Sequence, residues 1–388
     1  MADEGAGWPV NLNLSMAFSE SSRGPAGSEK ASYDSESKPL DDKYRLWGSD
    51  KGKTRRLQPT TQHEKTPTTE EAPAENGFFF SAVILGVFVI AIAYTIGDAG
   101  YSSELATPGS RFDINAFGSL LHTNYLGRTK IHLPTTASTM IDAKNILAEK
   151  PPSEAHGSIV IADRQTQAKG RKGRKWVASS IDNIYASFIW VPSQATIPPK
   201  TPQQLPTHLI KLNLAVPLAI ARACSAEGVS YVGVKWPNDV WINGYKVAGA
   251  LIDYIGRQGH SGAVVGVGIN TNENVKDVLA LGGKNKAISI RDALGYPVER
   301  ERVLAVVLAE LEALMKLPLN VVINEFTKLD VLVGNVVTVH HVSKEVKDSR
   351  DFQARVLHIS QDGLVVTNLK TGDKVTLSSE EVSISLSE

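Results

Sequence analysis

The hydrophobic and polar positions change character several times along the chain. Residues 1–77 are rich in Ser, Glu, Asp, Lys, Pro and Gly and show little apolar periodicity. Such a stretch cannot bury enough surface to offset its chain entropy, so a disordered polar leader is expected. Phe78–Ile96 is the opposite, nineteen residues without a charge. As a helix rising ~1.5 Å per residue it would be about 29 Å long, close to the ~30 Å hydrocarbon core of a bilayer. It starts too far from the N-terminus for a secretory signal peptide, so a transmembrane helix is the expectation. Basic flanks orient it weakly, with Lys65, Arg55 and Arg56 before it and Arg111 after it.

From about Arg111 the pattern alternates between strand and helix periods. Ser158–Ala162 and Ile184–Trp190 read as strands, and Ile141, Ile146 and Leu147 mark a helix opening near Ser138. A helix is expected over Thr207–Ala226, kinked or divided by Pro217. Asn243-Gly244, between the apolar runs Asp239–Asn243 and Lys246–Asp253, is a strong hairpin signal. Glu299–Phe326 has helical spacing through Leu304, Leu308, Leu311 and Leu314. Beyond it, Val331–Val339, Phe352–His358, Leu364–Leu369 and Lys374–Leu377 read as short strands, with turns at 361–363 and 370–373. Spacing of this kind suggests a small barrel over residues 328–388.

Composition narrows the class. The chain has 388 residues and a formal net charge of zero, so no global field draws it to nucleic acid or to membranes. Its single cysteine, Cys224, excludes an internal disulfide and lies in an apolar run, as a reduced core thiol would. The nine histidines show no metal-ligand spacing.

Against that neutral background, Gly170-Arg171-Lys172-Gly173-Arg174-Lys175-Trp176 concentrates four cations and two glycines before a tryptophan. Glycines permit a tight curl, and arginine forks suit phosphate and carboxylate, so the run is built to wrap an anion with an apolar body. A run of this kind can also be a nucleic-acid patch or a solvated loop. Three further segments agree with the anion reading. Lys235-Trp236-Pro237-Asn238-Asp239 follows the apolar stretch Val229–Val234, and Pro237 cannot continue a central strand, which sets Lys235 at a strand end. Gly266-Val267-Gly268-Ile269-Asn270 closes the apolar run Ala263–Val265 and removes side chains from one face, for a ligand or for close packing. Thr135-Thr136-Ala137-Ser138-Thr139-Met140 precedes a helix, where Ser138 is also a plausible N-cap.

In order and spacing these four segments resemble the biotin protein ligases from about residue 111 to the C-terminus. The resemblance implies an α+β fold: a mixed-sheet biotin/lipoate ligase catalytic domain over 111–327 and a Src-homology-like β-barrel over 328–388. It implies a two-step reaction in which biotin and ATP form biotinyl-AMP, and a lysine on the carrier domain of a biotin-dependent carboxylase then takes the biotin. It carries Lys235 and Arg171 over as catalytic. Ser138, Thr139, Gln165, Lys169, Gly266 and Gly268, with Arg171 and Lys235, become biotin contacts. Arg171, Arg174, Trp176, Asn238 and Asn270 become adenylate contacts. Magnesium accompanies ATP, with no residue assigned to hold it; Asp239 is read as a turn anchor ahead of a ligand. Ala168 stands where the family commonly has glycine, a departure that puts biotin affinity in question. Some relatives carry an N-terminal winged helix, and residues 1–77 lack its helical pattern, so no nucleic-acid partner is expected. The catalytic domain is expected in the cytoplasm, anchored by Phe78–Ile96 or soluble. The alternatives are a lipoate-type protein ligase and a membrane-tethered, non-catalytic adaptor that binds carboxylases; the intact Lys235, Arg171 and Arg174 argue against the adaptor.

Overall fold

The computed structural model describes residues 108–178, 180–192, 207–255, 262–274, 287–341, 351–378 and 382–386. The expected leader and the Phe78–Ile96 helix lie outside the described residues.

Seven strands form one mixed sheet in the order β1-β2-β3-β7-β6-β5-β4. They are β1 Lys130–Leu133, β2 Ile159–Ala162, β3 Ile184–Trp190, β4 Val232–Lys235, β5 Asp239–Ile242, β6 Tyr245–Ile255 and β7 Gly262–Ile269. Only β1 and β2 run parallel; the other neighbours are antiparallel. β3 is buried along nearly its whole length because both of its faces are covered. Ile184, Ala186 and Phe188 point into the main core. On the other face Tyr185 packs with Ala168 and Ala178, and Ile189 packs with Met140, Ala143 and Leu147.

The helices are α1 Ile114–Leu120, α2 Thr139–Glu149, α3 Pro152–Ala155, α4 Thr207–Ala226, α5 Ile290–Leu294, α6 Arg300–Lys316 and α7 Leu319–Leu329. Two prolines within the expected helices behave differently. Pro217 does not divide α4, which runs as one helix whose residues around Pro217 are buried. Packing on all sides outweighs the lost hydrogen bond there. Glu299–Phe326, by contrast, is two helices, because Leu317 ends α6 and Pro318 caps α7. The carbonyls left open at the end of α6 accept from Lys211 Nζ, at 3.0 Å for Met315 and 2.7 Å for Leu317. By length and composition α4 could cross a membrane, but its apolar window is 67% buried, as a core helix would be.

A second, five-stranded antiparallel sheet follows in the order β11-β10-β9-β8-β12. Its strands are β8 Val336–His341, β9 Phe352–Ser360, β10 Gly363–Asn368, β11 Lys374–Leu377 and β12 Val382–Leu386. The expected strand at Val331–Val339 therefore begins later, and residues 330–333 instead run beside β4. The strand β12 had no counterpart in the sequence reading.

Candidate active site

Strand register assembles the site. Across the sheet, Ala162 pairs with Tyr185, Tyr185 with Gly268, Gly268 with Gly249, Gly249 with Asp239 and Asp239 with Lys235. Directly opposed residues share a face, so this row exposes two glycines between an aromatic wall and a pair of charges. The neighbouring row is Val160, Ser187, Gly266 and Leu251. The two rows lie two residues apart along each strand, roughly 6.6 Å.

The glycines in these rows are covered at contact distance. A Cβ on Gly268 would fall 2.6 Å from Trp176 Cε2, and one on Gly266 would fall 2.6 Å from Met140 Sδ. The basic loop thus folds down onto the sheet. Trp176 N–H donates to Ala168 O at 3.1 Å, Gly170 N–H donates to Arg174 O at 2.7 Å, and Lys169 bridges Lys175. At its tip, Arg171–Gly173 forms a 3₁₀ turn with Lys172 at φ 59° and Gly173 at φ 69°. The Ala168 methyl is packed against Ala178, Tyr185 and Trp176, which gives it a structural place inside the loop's base.

One end of the site is polar and uncharged. Gln165 Oε1 accepts from Thr139 N–H at 2.9 Å and from Thr139 Oγ1 at 3.2 Å. Thr139 Oγ1 and Ser187 Oγ are 2.7 Å apart. Ser138 occupies the N-cap position of α2 but makes no side-chain cap bond, so the capping expectation holds in position only. Ser187 is fully buried and was not anticipated; its signal was the alternation of β3, which puts it on the Tyr185 face.

The other end is cationic. Lys235 Nζ lies 4.4 Å from the Trp241 ring centroid, a cation–π contact. Lys246 Nζ pairs with Asp239 Oδ1 at 2.6 Å and lies 5.3 Å from the Trp176 ring. Asp239 is thereby engaged in an ion pair at the hairpin. Arg171 Nη1 donates to Asn238 Oδ1 at 3.3 Å, while Asn238 Nδ2 donates to Ala250 O. Arg174 Nε donates to Arg171 O at 3.3 Å. Burial holds the Lys235 ammonium below the ordinary lysine range; Asp239 and Asp330 oppose that shift, and Lys246 and Arg174 add to it. Three neighbouring cations against two carboxylates leave a place that an incoming anion would stabilise. Asn270 is buried, and its Nδ2 donates to Ile288 O at 3.3 Å, which ties down the end of β7. Lys169 is exposed on the loop. Lys246, Trp241 and Asp330 were missed, because each reaches the site only through the hairpins and the chain crossing after α7.

Fold and site define an α+β domain with a polar cluster and a cationic cluster on one sheet face beneath a basic loop. Residues 135–270 match the profile of the biotin/lipoate A/B protein ligase family. The chain is 28% identical over 252 residues to the bifunctional ligase/repressor BirA of Escherichia coli, covering 62% of this chain and 73% of that one. With BirA of Bacillus spizizenii it shares 30% over 186 residues, 47% of this chain and 53% of the relative, so it spans about half of that protein. The fold is also that of an Aquifex aeolicus biotin protein ligase solved with biotin and ATP, at TM-score 0.51 and 22% identity, covering 67% of this chain and 100% of that one. The likeness to this family spans residues 135–270 in the profile and 62% of the chain in the Escherichia coli BirA alignment.

Proposed function

We propose that this protein is an ATP-dependent biotin protein ligase that forms biotinyl-AMP and transfers biotin to a lysine on the carrier domain of biotin-dependent carboxylases. The observation that carries the reading is the union of two unlike ends on one glycine-floored sheet face. Thr139, Gln165 and Ser187 offer hydrogen bonds to a ureido head, and Lys235 with its neighbouring cations awaits a carboxylate. A dithiolane has nothing to offer the polar end, which favours biotin over lipoate, since a site built to hydrogen-bond rejects a ligand lacking the partner group.

In the first step a biotin carboxylate oxygen attacks the α-phosphorus of ATP, the bond to the bridging oxygen breaks, and pyrophosphate leaves. Lys235 pairs with the carboxylate and holds it for attack. Arg171 and Arg174 meet the negative charge on the phosphate, with Asn238 orienting Arg171. Positioned cations are the suitable catalyst for such charge development. In the second step the carrier lysine's amine attacks the acyl carbon; AMP leaves with the bonding electrons, and the amine gives up a proton. Lys235 then faces the developing oxyanion. Trp176 packs over the glycine floor as the inner wall, and Ser138, Lys169, Gly266, Gly268 and Asn270 complete the lining.

Among the described residues no group of three carboxylate, histidine or cysteine side chains could hold a metal. Magnesium would accompany the phosphates of ATP, and no step is routed through a protein-bound ion. The division at about residue 328, the second sheet as the family's small barrel, and a membrane anchor at Phe78–Ile96 with the catalytic domain in the cytoplasm are further proposals that rest on the sequence.

Incubation with ATP, labelled biotin and a purified carrier domain tests the reading. Label on one carrier lysine, dependent on both ATP and biotin, is expected; preference for lipoate, or no adenylate at all, overturns it.

A further inference from the structure

The turn that carries Lys235 is fastened from outside its own sheet. After α7 the chain runs along the edge of β4, where Asp330 lies beside Val234 and Val331 N–H donates to Val234 O at 2.9 Å. Gly233 makes this approach possible, since a Cβ there would lie 2.5 Å from Val331 Cγ1 and 3.1 Å from Leu329 O. The Asp330 carboxylate is buried by the crossing. Its Oδ1 accepts from Leu332 N–H at 2.8 Å and Val333 N–H at 2.9 Å, which shapes the segment leading into the five-stranded sheet. Its Oδ2 accepts from Trp236 N–H at 3.1 Å, the residue directly after Lys235. One carboxylate therefore joins the entry to the second sheet to the turn bearing the site's lysine.

We infer that Asp330 is a positioning residue for Lys235: it fixes the Trp236 backbone and sets a negative charge beside the ammonium, so that the C-terminal segment governs the geometry of the reacting cation. This rests on the ligase reading above. The other charged groups acting on Lys235 are Asp239, Lys246 and Arg174. A carboxylate nearby helps lysine keep its proton, so its removal lets the proton go at lower pH.

Asp330→Asn separates this role from simple support. The amide keeps an oxygen for the Leu332 and Val333 N–H groups, loses the acceptor for Trp236 N–H, and loses the charge. Biotin-dependent exchange of pyrophosphate into ATP should fall ~10²-fold at saturating substrates, the scale of a small misplacement of a reacting group. The KM for ATP should change little, and the alkaline limb of the rate profile should move to lower pH. Asp330→Glu should restore the limb without restoring the full rate. An unmoved limb in Asp330→Asn, whatever happens to the rate or the melting temperature, overturns the inference. So does an Asp330→Asn chain that does not fold, since Asp330 would then be a folding residue. Wild-type exchange in the same assay tests the ligase reading alone: without it both claims fall, and with it only the claim for Asp330 is at stake.

Discussion

Gly268→Ala tests how the basic loop is seated. A Cβ at this position would lie 2.6 Å from Trp176 Cε2, 2.7 Å from Cζ2 and 2.8 Å from Nε1. Carbon contacts settle at about 3.5–4.0 Å, so the indole must retreat by about 1 Å. The strand itself does not object, because Gly268 is not among the residues with positive φ. Nor can the ring slide freely along the sheet. A Cβ on Gly249 would sit 3.3 Å from Trp176 Cζ3, Lys246 lies over the ring, and Trp176 N–H is tied to Ala168 O. The displacement is therefore passed to the loop, at the overpacking cost of roughly 1–3 kcal/mol. That range corresponds to about 5- to 150-fold in the population of the closed loop. Labelled biotinyl-AMP, chased with unlabelled adenylate, should leave the variant faster by a factor in that range. Gly249→Ala is the control, since its Cβ meets chiefly the flexible end of Lys246, 3.0 Å at Nζ and 3.2 Å at Cε, and should act more weakly. Equal retention by Gly268→Ala and wild type, or a larger effect at Gly249, would refute the seating of the loop through Trp176.

Lys235→Ala should cost roughly 3 kcal/mol or more in adenylate formation, as loss of an oxyanion stabiliser does, and near-normal pyrophosphate exchange would refute its role. Burial raises the Asp330 carboxyl to about 6, so wild-type exchange should fall as pH drops through about 6, while the same group's contribution to folding stability rises, because the protonated form is favoured in the fold. An acid limb that persists unchanged in Asp330→Asn would count against that assignment. Deletion of residues 1–100 should leave an active protein. Deletion through residue 113 should lower the melting temperature sharply, because Gly109 N–H binds Asp182, Phe112 N–H binds Asp163, Asp113 N–H binds Glu301 and Ser110 O accepts from Arg300. Equal melting of the two truncates would refute the second half.

Features fixed by local chemistry were legible in the sequence. Asn243-Gly244 adopts φ 50° and 78°, the left-handed pair a two-residue hairpin needs, and Ile242 pairs with Tyr245 across it. The strands at Ile184–Trp190 and Lys374–Leu377 follow from alternation and turn residues alone. Pro217 and Pro318 show where local reading stops. The same residue type lies inside one helix and separates two others, and the difference lies in partners distant in sequence: the packing around Pro217, and Lys211 on the carbonyls before Pro318. The basic loop announced itself by composition. Its seat on Gly268 did not, because only the register of β3, β6 and β7 brings Tyr185, Gly268 and Gly249 into one row.

The distribution of charge explains how the fold tolerates so many cations before any anion arrives. Lys246 is neutralised by Asp239, and Lys235 rests against the Trp241 face near the Asp330 carboxylate. The cations fixed in the sheet therefore have internal partners, as half-buried charges require. Arg174, by contrast, is exposed on the loop, where water screens its repulsion from Lys235. Bringing that charge inward is unfavourable unless an anion comes with it, and the attraction then grows as water leaves. A loop with its charge kept in solvent and its Trp176 anchored on the sheet is therefore biased to close on a phosphate, and its closure should depend on the ligand's charge more than on its apolar body.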